Sequence, residues 1–304
     1  MRKLLFILLL CLITTSASGQ FFMPNQKPML GLQVNWAHPL SKDLVGLWLF
    51  NEGSGGQVFD LSGNNYNGTI SSGLSWVPGQ TGPNIKGDNT NTHCITIPCA
   101  QGSPADLSGQ GTIIVKIKPV SGSGNTTAVG RDDMMWLWCS DTNNKWTTRI
   151  DSGALLLESL ESVDWGQYQT MAFTYDDVSG NGYLYKNGML LGSILGSAVN
   201  MVSSASNWYI GEDPRDGSGT PLDGLIEFVL LYNRAFSAYE VAQLYREPFC
   251  MFEGDLTVAQ MYDYGEAPAP SGQFITIQMS VIPLFILFTA ICFVKGRNGN
   301  KIAQ

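Results

Sequence analysis

Residues 44–70 read LVGLWLFNEGSGGQVFDLSGNNYNGTI, and no other stretch restricts the chain's fold so tightly. Val45, Leu47 and Leu49 alternate with Gly46, Trp48 and Phe50, so both faces of this strand are apolar. A strand apolar on both faces is buried on both sides, as inside a sandwich. The Gly, Ser and Asn that follow, with Asp60 among them, tolerate positive φ too readily to continue a helix or a ladder. A tryptophan strand therefore runs directly into a compact loop.

Further strands are expected at residues 93–98, 111–120, 134–140, 145–151, 154–160, 167–176, 183–186, 189–193, 208–211 and 225–232. Their number and spacing predict two packed antiparallel sheets. Composition agrees: 34 glycines and only 14% charged residues suit a β-sandwich better than a helical protein. Asn187-Gly188 between YLYK and MLLG marks a two-residue hairpin, because both residues accept φ > 0. In residues 111–120, Ile113, Val115 and Ile117 alternate with Ile114, Lys116 and Lys118, which predicts one buried and one wet face. One helix is signalled after Ser237, with Glu240 completing a capping box. Tyr239, Val241, Leu244 and Tyr245 are expected to face the sandwich, and Pro248 limits the helix.

These segments, in order, resemble a known family. W-L-F-N-E-G-S-G followed by D-L-S-G-N-N-Y-N-G-T, then GTIIVKIKPV, DWGQYQTMAFTYD, GYLYKNGMLLGS and LDGLIEFVLLYNRAFSAYEVAQLY look like blocks of the laminin-G-like domain of the concanavalin A-like lectin/glucanase superfamily. The resemblance runs over residues 31–253 and implies an all-β, two-sheet antiparallel jelly-roll sandwich. It also implies that Trp48, Trp76 and Trp165 are core residues. Lys116 and Ile117 stand where an aromatic pair is usual, and Glu227 stands where the family has Asp. VNWAHPL and LYREPFCMF resemble segments of phage-associated members.

The chain's ends read differently. Arg2 and Lys3 precede the apolar run Leu4 to Ile13 and then TTSASG, which reads as a signal peptide over residues 1–19. A lead-in occupies residues 20–43 and the sandwich domain residues 44–253. A Pro/Gly/Ser-containing linker, 254–274, precedes an uncharged stretch, 275–294, long enough for roughly 30 Å of helix. Lys295, Arg297 and Lys301 follow in a basic tail, 295–304. This pattern predicts one transmembrane helix, with the sandwich extracytoplasmic and the C-terminus cytoplasmic. Cys94, Cys99, Cys139 and Cys250 permit two disulfides in such a compartment; four free buried thiols are the alternative.

The chemistry-bearing residues point to recognition. A formal charge of −8 without a basic stripe argues against nucleic acid as a partner. The superfamily's glucanases carry E-x-D-x-x-E on one strand, which this chain lacks. Glu158, Glu161 and Asp164 are spaced by three, which on a strand sends neighbours to opposite faces. His38 and His93 have no nucleophile at triad spacing, so no enzyme activity is expected. Calcium is a possible cofactor, with Asp60, Asp88 (beside Asn89 and Asn91) and Asp223 as candidate ligands and Glu212, Asp213 and Asp216 nearby. For Asp60 the alternative is a turn stabilised by hydrogen bonds to backbone N–H groups. Trp136 and Trp138 share one strand face and, with Trp146, are candidate ligand-stacking residues; core packing is the alternative. The expected function is a membrane-anchored module that binds a glycan or surface glycoconjugate. The rivals are a structural or adhesion protein of a cell or virion surface and an atypical glycoside hydrolase.

Overall fold

The computed structural model describes residues 26–120, 124–132, 134–150, 155–212 and 220–252. The expected signal peptide, linker, transmembrane helix and basic tail, with Asp213 and Asp216, lie outside them. Among the described residues no helix is long and apolar enough to cross a membrane.

Among the described residues sixteen strands follow in chain order. They are β1 (Leu44–Trp48), β2 (Gln57–Val58), β3 (Gly68–Ile70), β4 (Ser75–Pro78), β5 (Pro83–Asp88), β6 (Ile95–Ile97), β7 (Gln110–Pro119) and β8 (Asn125–Arg131). Then come β9 (Met135–Ser140), β10 (Lys145–Ile150), β11 (Leu155–Ser162), β12 (Gln169–Asp176), β13 (Asn181–Lys186), β14 (Met189–Ile194), β15 (Trp208–Ile210) and β16 (Asp223–Tyr232). Helix α1 (Ala238–Arg246) closes the order. Sheet 1 runs β14-β13-β12-β7-β16-β5-β4, with β1 also on β16. Sheet 2 runs β11-β10-β9-β8-β15-β6-β3-β2. The pairings are antiparallel, as the sequence predicts. The additional strands β2, β3, β4, β5 and β8 are short, or carry Pro, Gly and Thr in place of an apolar alternation.

The main core lies between the sheets and contains Trp48, Phe50, Trp146, Phe173, Tyr175 and Trp208. A second core covers the other face of sheet 1. There Leu47, Leu49, Ile114, Phe228 and Tyr232 meet Val34 and Leu40 of the lead-in, Val241 and Leu244 of α1, and Phe249, Met251 and Phe252. Strand β1 is buried at every position, as its two apolar faces demand. Its side chains divide between the cores, but a register shift between Leu44 and Gly46 moves Val45 to the Trp48 side. The expected wet face of β7 is a correction: Ile114 is buried in the second core. The lead-in is likewise part of the fold, since Asn35 donates to the Met251 carbonyl at 2.8 Å and Val34 bridges Phe252.

The hairpin and helix signals hold. Asn187 and Gly188 take φ of 52° and 78°, the left-handed pair that the tight turn needs. Ser237 and Glu240 form the reciprocal capping box; such an N-cap contributes about 1 kcal/mol. Of the four residues expected to face the sandwich, Val241 and Leu244 do so, while Tyr239 and Tyr245 are exposed. Of the three tryptophans assigned to the core, Trp48 is fully inside, whereas Trp76 and Trp165 only flank it.

Candidate functional site

Asp60 accepts four hydrogen bonds. Its Oδ1 takes the N–H groups of Leu47 (3.0 Å) and Ser62 (2.8 Å), and its Oδ2 takes the Ser62 hydroxyl (2.7 Å) and the Tyr66 N–H (3.0 Å). Asn67 Oδ1 accepts from the Asp60 N–H, and the Trp48 indole donates to the Tyr66 carbonyl, so the loop is stitched to its strand. Both Asp60 oxygens are committed to the turn. Asp88 lies opposite Asp223 on β5 and β16, and it bonds His93 Nδ1 at 3.0 Å. Asp60 belongs to a different hydrogen-bonded cluster from Asp88. Among the described residues no three His, Cys, Asp or Glu side chains are placed to share a metal.

The four cysteines are free thiols, the alternative that the sequence leaves open beside two disulfides. Cys139 is wholly inside the main core, and burial pushes its thiol far up. Cys250 packs at the second core, and burial pushes its thiol up to about 11. Cys99 bonds Ser103, and Cys94 sits on the outer face of sheet 2.

The three acids of residues 158–164 divide between two partners. Glu158 accepts from Asn143 at 2.8 Å, whereas Glu161 and Asp164 both pair with Lys186 at 3.1 Å, on β13 of the other sheet.

The sequence-predicted aromatics separate according to strand alternation. Trp146 points inward and is fully buried, donating to Gln169 Oε1 at 3.0 Å, which removes it from the candidate surface. Met135 and Leu137 also point inward. Trp136 and Trp138 therefore project from the outer face of sheet 2. Trp136 packs with Cys94 and Tyr209, and Trp138 flanks them half-buried.

A straight row crosses this face. Leu156, Arg149, Trp136, Gly130, Tyr209, Thr96, Thr69 and Gln57 each lie opposite the next, from one edge of sheet 2 to the other. Gly130 is required by close approach: a Cβ there would meet the Trp136 ring at 1.9 Å, so the indole lies flat on its backbone. Arg149 lies over both indoles, its guanidinium carbon 5.7 Å from the Trp136 ring and 6.0 Å from the Trp138 ring. Trp138 stands between Thr127 and Thr147 in the next row. Leu156 is 53% exposed and Leu160 83% exposed along the β11 edge. Trp136 and Tyr209 are themselves buried, 3% and 8% exposed. What the face offers is the half-buried Trp138 ring beside the Arg149 guanidinium and the exposed Leu156, a combination suited to a polar ligand with an apolar ring face.

A second polar cluster lies over sheet 1. A cleft of about 610 Å³ is lined by Thr81, Lys116, Tyr168, Thr170, Asn187 and Tyr245, among others. Beneath it Lys116 pairs with Glu227 at 2.8 Å, and Glu227, fully buried, also accepts from Thr81. A bulge between Ile226 and Phe228 turns Glu227 to this side. Lys27 is held by the Phe50 and Pro83 carbonyls and Asn84 Oδ1, and burial lowers its pKa to about 7. Asn84 in turn donates to the Tyr168 hydroxyl at 2.7 Å.

Sequence reasoning passed over Arg149 and Tyr209. Both follow from alternation once Trp136 and Trp208 are assigned to opposite faces. Lys116 and Glu227 appeared as two independent departures from the family pattern; they are one ion pair.

Residues 88–242, just over half of the chain, match the family described as the concanavalin A-like lectin/glucanases superfamily. No curated protein matches the sequence. Solved structures share the fold. A sialidase of Trypanosoma rangeli, in complex with 2,3-difluorosialic acid as a covalent intermediate, is 18% identical with a TM-score of 0.54. The match covers 69% of this chain and 34% of that one, so the chain spans about a third of that sialidase's length. The binding domain of Paraclostridial Mosquitocidal Protein 1 is 17% identical, with a TM-score of 0.55, over 68% of this chain and 52% of that one. Domain 4 of AbnA, an extracellular arabinanase from Geobacillus stearothermophilus, in complex with arabinotriose, is 19% identical with a TM-score of 0.51. That match covers 66% of this chain and 98% of the domain. At these identities the likeness is one of fold.

Proposed function

The chain belongs to the concanavalin A-like lectin/glucanases superfamily, and from that premise we propose that its sandwich is a recognition module which binds carbohydrate on the outer face of sheet 2 without cleaving it. Half-buried Trp138 and Arg149, backed by the buried Trp136 and Tyr209, carry this reading. Sugars present alternating apolar faces and hydroxyl edges, and amphipathic rings with neighbouring hydroxyls match both. The fold relatives lend support, since one is a domain in complex with arabinotriose and another a sialidase. Fold alone does not assign function, so the residues of the face bear the weight. Binding without hydrolysis is supported by the missing acid triplet and by the lysine that engages both Glu161 and Asp164.

The anchoring part of the proposal rests on residues 275–294 and the basic residues after them. It places the module outside the cytoplasm on a single span. Protease added to intact cells, or to spheroplasts, should digest the sandwich and spare the tail; release of full-length protein by a carbonate wash would contradict the anchor.

The binding test uses the purified full chain on immobilised β-glucans, galactans, arabinans and bacterial surface polysaccharides, reading retention and new reducing ends together. Retention without reducing ends is expected. Reducing ends that vanish when a nearby acid is replaced would make the protein a glycosidase. A second reading, adhesion through protein contacts, is favoured by exposed Leu156, Leu160, Met189, Leu190 and Leu195 along the edge strands β11 and β14 and just beyond. Absence of retention on every glycan would favour it.

A further inference from the structure

Arg149 rests on rings, and among the described residues no acid holds it. Its guanidinium lies over the Trp136 and Trp138 indoles. Among the described residues no carboxylate pairs with it, and its enclosed Nε has no hydrogen-bond partner. Two other arginines do have acidic partners. Arg131 is paired with Asp106 at 2.9 Å, and Arg234 with Glu240 at 2.7 Å. The chain has 25 acidic residues against 17 basic ones, so a cation without an acidic partner is not a matter of scarcity. The nearest acid in register is Glu158, opposite Thr147, and its Oε1 is taken by Asn143.

A guanidinium kept from water on one side and left unpaired is unfavourable unless a ligand completes it. Its planar fork fits a carboxylate through two parallel hydrogen bonds, and stacking on indoles fixes the plane in advance. Beside it, half-buried Trp138 and exposed Leu156 offer apolar surface to a sugar ring.

We propose that Arg149 makes this face selective for glycans whose sugars carry a carboxylate, the acid group bridging to Arg149 while the ring lies against Trp138 and Leu156. This rests on the carbohydrate-binding reading and specifies its ligand class.

The test compares polygalacturonate, hyaluronan and polysialate, each beside its carboxyl-reduced form, which keeps the backbone and removes the charge. The full chain should bind at least one acidic polymer about tenfold or more tightly than its reduced partner, a preference that weakens as salt rises. Arg149→Gln should abolish the preference, and Arg149→Lys should restore only part of it, since an ammonium keeps the charge but not the fork. Melting of both variants is measured alongside. Should Arg149→Gln fail to fold, competition of the unaltered protein with free glucuronate against glucose replaces it, and only glucuronate should displace the polymer. Equal affinity for acidic and reduced forms overturns the inference and leaves the carbohydrate reading standing. So does a preference that Arg149→Gln does not change, or retention on neutral or sulfated glycans alone. Retention on nothing overturns both.

Discussion

Arg131 and Arg149 lie on strands of the same sheet and face opposite ways. Arg131 points inward at the end of the main core and is wholly buried. It pairs with Asp106, donates to the Ala105 and Ser206 carbonyls at 3.3 and 2.8 Å, and reaches the Ser204 carbonyl. Asp106 in turn accepts from the Gly102 N–H and the Ser203 hydroxyl. Two loops on either side of the sandwich end are thus pinned to one guanidinium. Arg149 points outward, rests on two indoles and has no such set of acceptors among the described residues. A buried charge with every donor satisfied holds the fold together. A cation on an aromatic face with its donors left over is placed for something that arrives later.

The sharpest separation comes from breaking the inner pair. Asp106→Ala leaves Arg131 buried and uncompensated, and such losses run to about 3–5 kcal/mol. Chemical unfolding of the full chain should show that drop in the sandwich transition. A change below about 1 kcal/mol would mean that the loops hold themselves.

Of intermediate size is the effect of pH on Lys27, a second buried cation. Burial lowers the Lys27 pKa to about 7, against the opposing pull of Glu227 and Glu52 and reinforced by Lys116. Between pH 7 and the ordinary lysine range the unfolded chain holds a proton that the folded chain releases. Stability from this group therefore rises with pH across that window and is flat, at its least favourable, below it. Lys27→Met should remove that slope in melting curves recorded from pH 6 to 10. A variant whose slope matches the unaltered protein would assign the dependence elsewhere.

The smallest expected effect on stability is at the outer face. Trp138 is half-buried, and among the described residues Arg149 pairs with no acid. Trp138→Ala and Arg149→Gln should each move stability by no more than about 1 kcal/mol, the scale of ordinary surface changes. A loss as large as that of Asp106→Ala would return both residues to a packing role.

Much of the architecture was legible because it follows from periodicity and turn chemistry. The doubly apolar β1, the Asn187-Gly188 turn and the Ser237–Glu240 box each state their geometry locally. Strands β5 and β8 escaped because PNIKGD and NTTAVGR lack an apolar alternation and draw their burial from neighbours. Alternation also placed Trp136 and Trp138 together, but a period of two says nothing about which face is inside. Trp146 was misjudged through its polar neighbours Asn144 and Lys145; β10 begins at Lys145, and alternation then turns Trp146 inward. Alternation turns Arg149 outward but does not by itself mark it as part of a site. Its meaning comes from the strand opposite, where Trp136 lies level with it. The same is true of Lys116 and Glu227, far apart in sequence and joined only by the pairing of β7 with β16.

The most direct measurement compares the two polar surfaces of the sandwich. With a glycan that the protein retains, calorimetric affinities are taken for the unaltered chain, for Trp138→Ala on sheet 2, and for Tyr245→Ala in the cleft over sheet 1. Loss of one stacking ring should weaken binding by about 1–3 kcal/mol, a range taken from base–aromatic stacking. Trp138→Ala is expected to show that loss, with Tyr245→Ala binding as tightly as the unaltered chain. The reverse pattern would move the binding site to the opposite face and contradict the account.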